Sequence, residues 1–403
     1  MTTVHGAHSK LAFEGGTPVR TTMLRYGSQR IEEEDIQAVV DVLRSEWITT
    51  GPKVDEFEQA LASYVGARHG VAFSSGTAAL HGAVFAAGIG PGDEAITSPM
   101  TFCATANCVI YQGGTPVFAD VSPDTLNLDP EQVERRLSPR TKAVLPVDYA
   151  GHPADLDAFT QVAGRRGLTI IEDACHALGA VHRGRPIGSI SHMTVFSFHP
   201  VKHITTGEGG MVTTNDDSLA AKLRLFRAHG VDTDFRARSA GTQWAYDMVA
   251  LGYNYRLPDI ACALGLSQLR RIEGNLARRR HIAQTYSSAF GKLSAVATPT
   301  IRPEALPAWH LYPIRLDLPQ LRAGRAEIFK ALRAEGIGVN VHYVPVHLFK
   351  YYRQRYGYKG GEFPIAEAAY ERLISLPMHH GMTDQDVQDV IEAVSKVVQF
   401  YAA

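Results

Sequence analysis

The chain has 403 residues, of which 45% are hydrophobic and 20% charged, and its formal net charge is −1 at pH 7. This balance is typical of a globular protein with a large core, and the length favours two domains. We expect no nucleic-acid partner because no basic stripe is present, and no membrane partner because no apolar run approaches the ~20 residues that span a bilayer. The absence of a secretory pattern at the N-terminus predicts a cytoplasmic protein.

Short β-rich runs alternate with helical patterns through the first two thirds of the chain. The predicted strands are 69–73, 93–98, 115–121, 142–149, 168–173, 194–198 and 210–215. The helical patterns between and after them are 77–89, 103–114, 129–137, 155–167 and 217–230. Strands that are apolar throughout and separated by helices predict an α/β fold with a mainly parallel sheet covered on both faces.

The remaining third of the chain has a different pattern. Residues 232–248 show no clear period and are predicted to form a loop. Residues 267–290 predict one long amphipathic helix that leads into a second domain, where "HLYPIRL", "EIFKALRAEG" and "VNVHYVP" form an α+β pattern. We therefore predict an N-terminal segment of residues 1–27, a large domain of residues 28–269 and a small C-terminal domain of residues 270–403.

The stretch "FSSGTAAL" (73–80) ends a predicted strand and opens a helix. Gly76 permits a tight turn, and Ser75, Thr77 and Ala78 would present backbone N–H groups at the helix N-terminus, an arrangement that favours a phosphate. Most Ser-Gly-Thr turns before helices are only helix caps, so the signal is weak by itself. No Gly-Lys-Ser/Thr sequence follows, which excludes a Walker loop.

Two further stretches supply groups that a phosphate turn alone does not explain. Asp173 ends a buried strand, where it could cap a helix or hold a ring nitrogen protonated, and His176 would reach the same ring. Lys202 lies between two apolar strands, so burial would convert its ammonium into a nucleophilic amine. Ser197 would add a hydroxyl to the phosphate site. A phosphate turn, an acid at a strand end and a lysine in a glycine-flanked turn together predict a pyridoxal phosphate site.

"SFHPVKHITTGEGG", "EDACHALGA", "VDYAGHPADLDAF" and "GYNYRLPDIACALGLSQL" resemble the DegT/DnrJ/EryC1/StrS family, from about residue 25 to the C-terminus. These proteins are nucleotide-sugar aminotransferases. The resemblance implies a fold-type I transferase, similar to aspartate aminotransferase. In this chain, the large domain would then have a mainly parallel seven-stranded sheet, and the smaller C-terminal domain would be α+β.

The resemblance also implies roles for the residues at the matching positions. Lys202 would bind pyridoxal 5′-phosphate covalently and later move a proton, Asp173 would pair with the pyridinium nitrogen, and His176 would lie on the O3′ side of the ring. The remaining cofactor contacts would come from the stacking ring of Phe102, from the phosphate ligands Thr77, Ala78 and Ser197, and from Asn254 of a neighbouring subunit. That last role implies a homodimer with shared active sites.

Within the family, the sequence resembles two groups of enzymes that act at C4 of UDP-linked sugars. The resemblance is slightly stronger to the group on the pseudaminic acid route, which makes UDP-4-amino-4,6-dideoxy-N-acetyl-β-L-altrosamine. The other makes UDP-4-amino-4-deoxy-L-arabinose. The amino donor would be L-glutamate. Tyr149, His342 and Tyr343 are candidates for the sugar pocket, although packing at a domain interface would explain each of them equally well.

Several other functions stay open at this point. Relatives that carry histidine in place of Lys202 are sugar dehydratases, and a cyclitol ketone could replace the sugar. A non-catalytic sensor would be expected to lack Lys202 or Asp173, and a dinucleotide oxidoreductase would need an early GxGxxG that is missing. We expect no metal site, because Pro200 and the adjoining strands keep His199 and His203 from forming a helical pair.

Overall fold

The computed structural model describes residues 10–233, 241 and 244–403. Its larger sheet has seven strands in the order β1-β9-β8-β5-β4-β2-β3, in which only β9 runs antiparallel to its neighbours. These strands are β1 His69–Phe73, β2 Glu94–Thr97, β3 Thr115–Phe118, β4 Thr141–Leu145, β5 Thr169–Asp173, β8 Met193–Ser197 and β9 Gly210–Thr214. The short strands β6 Val181–His182 and β7 Arg185–Pro186 form a second sheet with β11 Ala305–Leu306. The predicted α/β class and mainly parallel sheet are confirmed.

Five helices of the large domain follow strands as the sequence pattern predicts, and two more, which precede the first strand, were not predicted. They are α1 Glu33–Leu43, α2 Pro52–Val65, α3 Gly76–Ala86, α4 Ala104–Tyr111, α5 Pro130–Arg136, α6 Leu156–Arg166 and α7 Asp217–Arg227, with a 3-10 turn at Tyr149–Gly151. Aspartates cap three of them: Asp129 accepts a hydrogen bond from Glu131 N at α5, Asp155 accepts one from Ala158 N at α6, and Asp216 accepts two at α7. Such caps satisfy the first free N–H groups of a helix.

The long helix predicted over residues 267–290 is wrong in one respect. The chain forms two helices there, Asp259–Leu269 and Ile272–Phe290. Arg271 leaves the helical conformation (φ −105°, ψ 6°), and its guanidinium pairs at 2.7 Å with the buried carboxylate of Asp35. This long-range ion pair lies outside what local periodicity can report, so the break was missed.

The C-terminal part of the chain builds a smaller α+β unit. Its sheet has the order β10-β12-β13, from Val296–Ala297, Tyr312–Leu316 and Leu373–Leu376. Its helices are Arg325–Ala334, Lys350–Tyr356, Pro364–Tyr370 and Asp384–Phe400, with 3-10 turns at Leu318–Gln320 and Val346–Leu348. Residues 339–345 enter as irregular chain, joined to the sheet by a single bridge between Asn340 and Ser375.

The N-terminal residues 10–27 pack on this smaller unit, beginning with a 3-10 turn at Ala12–Glu14. The carboxylate of Glu335, which is fully buried, accepts hydrogen bonds from Ala12 N at 2.9 Å and Val19 N at 3.0 Å. Lys396 Nζ lies 2.8 Å from the same carboxylate and supplies its counter-charge. One buried, fully paired acid therefore attaches the N-terminal segment to the small domain.

Residues 234–240 and 242–243, within the predicted loop 232–248, lie outside the described part of the chain. Residues 244–248 form no helix or strand, apart from a bridge between Val231 and Met248. In the described residues, no helix combines the length and the apolar character that crossing a membrane requires.

Candidate active site

The register of the large sheet brings the predicted site residues to one edge. Gly210, the first residue of β9, pairs with Phe73 at the end of β1 and with Ser197 at the end of β8. Asp173, the last residue of β5, pairs with Val195 of β8. Since ligands of such sheets bind beyond the carboxyl ends of the strands, this edge is the expected site.

The turn between β1 and α3 fits a phosphate group. Ser75 Oγ caps the helix by accepting from Ala78 N at 3.0 Å, which leaves the N–H groups of Gly76 and Thr77 without a bond to a described residue. A Cβ on Gly76 would lie 3.0 Å from Cβ and 3.2 Å from Oγ of Ser197. The helix N-terminus and the Ser197 hydroxyl therefore face the same small space, which favours an anion.

The carboxylate of Asp173 is 5% exposed and has two hydrogen bonds but no cationic partner among the described residues. Thr105 Oγ1 donates to Oδ2 at 2.6 Å, and Cys175 N donates to Oδ1 at 3.2 Å. Thr101 Oγ1 lies 2.8 Å from Thr105 Oγ1 and so extends the chain of hydroxyl groups. A buried carboxylate held by hydrogen bonds without a counter-charge fits a protonated ring nitrogen.

Lys202 lies in the loop between β8 and β9, where its N–H donates to His199 O at 2.9 Å. Burial lowers the pKa of its ammonium below the usual range, although Cys175 and Asp173 act in the opposite direction. A lowered pKa increases the fraction of neutral amine, which is the form that attacks a carbonyl. The loop that carries Lys202 ends at Gly210, which packs closely on the turn after β1, because a Cβ on Gly210 would lie 2.6 Å from Ser75 O.

His176 connects the large domain to the small one. Its Nε2 lies 3.0 Å from the hydroxyl of Tyr343, and the two rings are nearly parallel, with centroids 6.0 Å apart. His310 also packs on His176, with ring centroids 4.4 Å apart. Burial and the nearby Lys202 hold the pKa of His176 well below its usual range, so the imidazole is neutral. Its Nδ1 is buried and has no partner among the described residues.

The other two candidates for the sugar pocket lie at the domain boundary. Tyr149 is 2% exposed, and its hydroxyl donates to the backbone carbonyl of His342 at 2.5 Å. His342 shares a hydrogen bond with Ser375 Oγ at 2.9 Å through Nδ1, and burial lowers its pKa to about 4. Tyr149 therefore holds the chain that presents His342 and Tyr343, which matches the packing interpretation of Tyr149; its role in sugar binding stays a prediction.

Phe102 and Asn254 both lie at the protein surface. Phe102 follows β2 and is 59% exposed, with its ring centroid 6.3 Å from that of Tyr343. Its free face is compatible with stacking on a ligand. Asn254 is exposed and bridges to Ala228, beside the end of α7.

Two buried acids lie directly beneath Asp173. Asp148 and Glu172 are both fully buried, Asp148 Oδ2 and Glu172 Oε1 accept no hydrogen bond from a described residue, and the two carboxyl groups interact, so a proton on one of them would satisfy both. Ala154 N donates to Asp148 at 2.8 Å, and Thr194 Oγ1 donates to Glu172 at 2.8 Å. Burial, with mutual repulsion, raises the pKa of Asp148 well above its usual range, and burial also raises that of Glu172.

Sequence reasoning missed several neighbours of the site. Thr105 could have been found from its place in "SPMTFCAT", since it follows the carboxyl end of a strand. His310 gave no such signal, because only the packing of the small domain brings it to His176. Arg279 is fully buried and donates through Nη1 to the carbonyls of Trp309 and Met378, both at 3.0 Å.

Comparison with known proteins settles the family. The model of the DegT/DnrJ/EryC1/StrS aminotransferase family matches residues 29–395. The chain belongs to this family. Members of the DegT/DnrJ/EryC1/StrS family depend on pyridoxal phosphate, and the phosphate turn, Asp173 and Lys202 described above fit that cofactor. The predicted family, fold and cofactor are thereby confirmed.

Individual relatives cover almost the whole chain. The spore coat polysaccharide biosynthesis protein SpsC of Bacillus subtilis is 45% identical over 382 residues, covering 94% of this chain and 98% of SpsC. The structure of PseC from Helicobacter pylori, described as an aminotransferase involved in the biosynthesis of pseudoaminic acid, superposes with a TM-score of 0.87 at 33% identity, covering 94% of this chain and all of that one. The PLP form of Spr1654 from Streptococcus pneumoniae, a putative sugar aminotransferase, has a TM-score of 0.87 at 33% identity over 94% of this chain and 99% of that one.

Proposed function

We propose that this family member is a cytoplasmic aminotransferase that moves an amino group from L-glutamate to the 4-keto position of a UDP-linked 4-keto-6-deoxy sugar, of the 2-acetamido-2,6-dideoxy-β-L-arabino-hex-4-ulose type. The observation that carries the proposal is that Asp173, buried and without an ion pair to a described residue, lies at the same sheet edge as the turn after β1 and the loop that carries Lys202. Likeness to PseC and to a polysaccharide biosynthesis protein supports a sugar substrate. A UDP-linked 4-keto pentose, another keto sugar or a cyclitol ketone is the second candidate.

When bound, pyridoxal phosphate supplies an electron sink for the carbanion that forms at the reacting carbon. The residues around it would supply position and protons. The N–H groups of Gly76 and Thr77, together with Ser197 Oγ, would hold the phosphate. Asp173, fixed by Thr105, would keep the ring nitrogen protonated.

Lys202 is the proton carrier of this scheme. As a partly buried amine with a lowered pKa, it would accept a proton from the donor carbon and return one to the acceptor carbon. The neutral imidazole of His176 and the hydroxyl of Tyr343 would hold the ring oxygen side in place through their 3.0 Å contact. The small domain, which reaches this edge through the contact of Tyr343 with His176, would help to exclude water.

Purified protein incubated with L-glutamate and each UDP-linked keto sugar tests the proposal. We expect a product whose mass corresponds to replacement of the ketone by an amine, and loss of both the visible cofactor absorbance and the transfer in Lys202→Ala. Lys350→Ala, at an exposed site, is the control. Full turnover by Lys202→Ala would contradict the role of this lysine, and simple loss of a hydroxyl from the sugar would indicate a dehydratase.

We further propose a homodimer in which Asn254 reaches the phosphate site of the partner. The exposed apolar side chains of Trp244, Met248 and Leu251 on the adjacent segment support this, because isolated proteins seldom expose such groups together. Asn254→Ala should be weakly active by itself. Mixing it with Lys202→Ala should restore part of the activity, since half of the sites in a mixed dimer would contain both native residues. No restoration after verified subunit exchange would contradict a shared site.

A further inference from the structure

A segment that no motif identified forms one wall of the candidate site. Residues 24–30 leave the small domain, where Gly338 N donates to Leu24 O at 2.7 Å, and reach the large domain, where Gln268 Nε2 donates to Arg30 O at 3.0 Å. Between these points, Met378 N donates to Tyr26 O at 2.9 Å. The segment is therefore fixed at both ends and in the middle.

The same segment passes the loop that carries Lys202. A Cβ on Gly27 would lie 3.1 Å from Cβ of Val201, the residue before Lys202. The backbone at Gly27 thus packs directly on the lysine loop. This contact places the side chain of Tyr26 beside the site.

The aromatic neighbours of Tyr26 show which part of the site it faces. Its ring centroid is 5.2 Å from that of His342, and the His342 ring is 5.0 Å from that of Tyr343. Tyr343 in turn contacts His176 through its hydroxyl. Two rings, those of His342 and Tyr343, therefore connect Tyr26 with His176, and Tyr26 belongs to the same aromatic wall as the candidates for the sugar pocket.

The polar atoms of this wall are free for a ligand. Tyr26 is only partly buried, and its hydroxyl has no hydrogen-bond partner in the described ranges 10–233, 241 and 244–403. In the same part of the chain, His342 uses only Nδ1, on Ser375, which leaves Nε2 free. A tyrosine that served packing alone would gain nothing from its hydroxyl, whereas a sugar ring presents hydroxyl and amide groups to such donors and acceptors.

We propose that Tyr26 is a substrate-binding residue of the keto-sugar pocket. Its hydroxyl hydrogen-bonds a hydroxyl or amide group on the sugar ring, and its aromatic face, held against His342, packs on the same sugar. The inference rests on the proposed sugar aminotransferase function and extends it to a specificity-determining residue. L-Glutamate lacks a ring to reach this wall, so Tyr26 discriminates only in the half of the reaction that consumes the sugar.

Tyr26→Phe removes the hydroxyl and keeps the ring, so it tests this inference without disturbing packing. Cofactor-loaded protein is assayed with UDP-2-acetamido-2,6-dideoxy-β-L-arabino-hex-4-ulose, and calorimetry measures the dissociation constant of the same compound. We expect KM and the dissociation constant to rise about ten- to hundredfold, as for loss of one substrate hydrogen bond in an enclosed site. The rate at which L-glutamate bleaches the visible cofactor band should stay within about twofold of the wild type. Tyr111→Phe, on an exposed tyrosine whose hydroxyl contacts no described partner, is the control.

The outcomes separate this inference from the proposed function. If the wild type reacts with glutamate and aminates the keto sugar, but Tyr26→Phe binds and uses that sugar as well as Tyr111→Phe does, the role of Tyr26 is refuted and the function stands. If the wild type aminates no UDP-linked keto sugar, the proposed function fails and the inference fails with it. An equal loss in the glutamate reaction would show that Tyr26 acts on the cofactor site and would also overturn the inference.

Discussion

The acid pair beneath Asp173 makes the stability of the protein depend on pH in a defined direction. Asp148 and Glu172 share a proton in the folded chain, and burial raises the pKa of each. An acid whose pKa is higher when folded contributes its full stabilisation below its unfolded pKa, near 4, and loses it as the pH rises through the folded pKa. Folding therefore retains about one proton that the unfolded chain has released above pH ~5.

Replacing both acids by amides, Asp148→Asn with Glu172→Gln, removes this proton while preserving one hydrogen bond between the two side chains. One retained proton corresponds to about 1.4 kcal/mol of unfolding free energy per pH unit, so the wild type should lose stability at up to this rate as the pH rises from ~5 toward the folded pKa of the pair. The double variant should lose none of it. Its stability curve should therefore be flatter and should lie above that of the wild type at the alkaline end.

Urea unfolding of the cofactor-loaded proteins at pH 5, 6, 7 and 8, at one protein concentration, measures this difference. Asp41→Asn, at an exposed position, is the control. All three proteins carry the same cofactor and are measured at the same concentration, so the difference between their curves reports the acid pair. Parallel curves for the wild type and the double variant would refute a shared proton at this position.

Two further changes test the cofactor side of the site. Thr105→Val should lower kcat/KM about ten- to hundredfold, because the Asp173 carboxylate loses a charge-assisted hydrogen bond of 2.6 Å. The control is Thr214→Val, which loses a hydrogen bond to a neutral carbonyl and should leave kcat/KM unchanged. Equal effects of the two substitutions would contradict the role of Thr105. Gly76→Ala should weaken cofactor binding, measured by equilibrium titration of the apoprotein, because the added methyl group meets Ser197 at 3.0 Å. The control is Gly164→Ala inside α6, where a Cβ would meet nothing within 4 Å, and this change should stabilise the protein by about 0.5–1 kcal/mol. Unchanged cofactor affinity in Gly76→Ala would contradict the role of the turn after β1 in binding phosphate.

Much of the large domain could be predicted because its signals are local. Continuous apolar runs marked the buried parallel strands, and each predicted strand from 69–73 to 210–215 appears within a few residues of its expected ends. Placement of Asp173 and Ser197 at strand ends then followed from the topology of parallel sheets. The sheet register brings them together as that reasoning requires.

What could not be predicted depends on contacts between distant parts of the chain. The helix break at Arg271 comes from its pairing with Asp35, and the position of Tyr26 comes from bonds to Met378 and the packing of Gly27 on Val201. None of these leaves a periodic trace in the sequence. The hydrogen bond from the Thr105 hydroxyl to Asp173 also joins distant parts of the chain, although the position of Thr105 shortly after a predicted strand offered a signal for it.

The insertion of β9 between β1 and β8 has a consequence for how the protein acquires its cofactor. Gly210 touches the phosphate turn of β1 and ends the loop that carries Lys202, so the phosphate site and the lysine meet only when this one strand has entered the sheet. The pairing of β9 with β1 joins segments far apart in sequence, and non-local contacts of this kind slow folding. Cofactor binding therefore requires the completed sheet. Because a ligand that binds only the native state shifts the folding equilibrium toward that state, pyridoxal phosphate should stabilise the pairing of β9 with its neighbours.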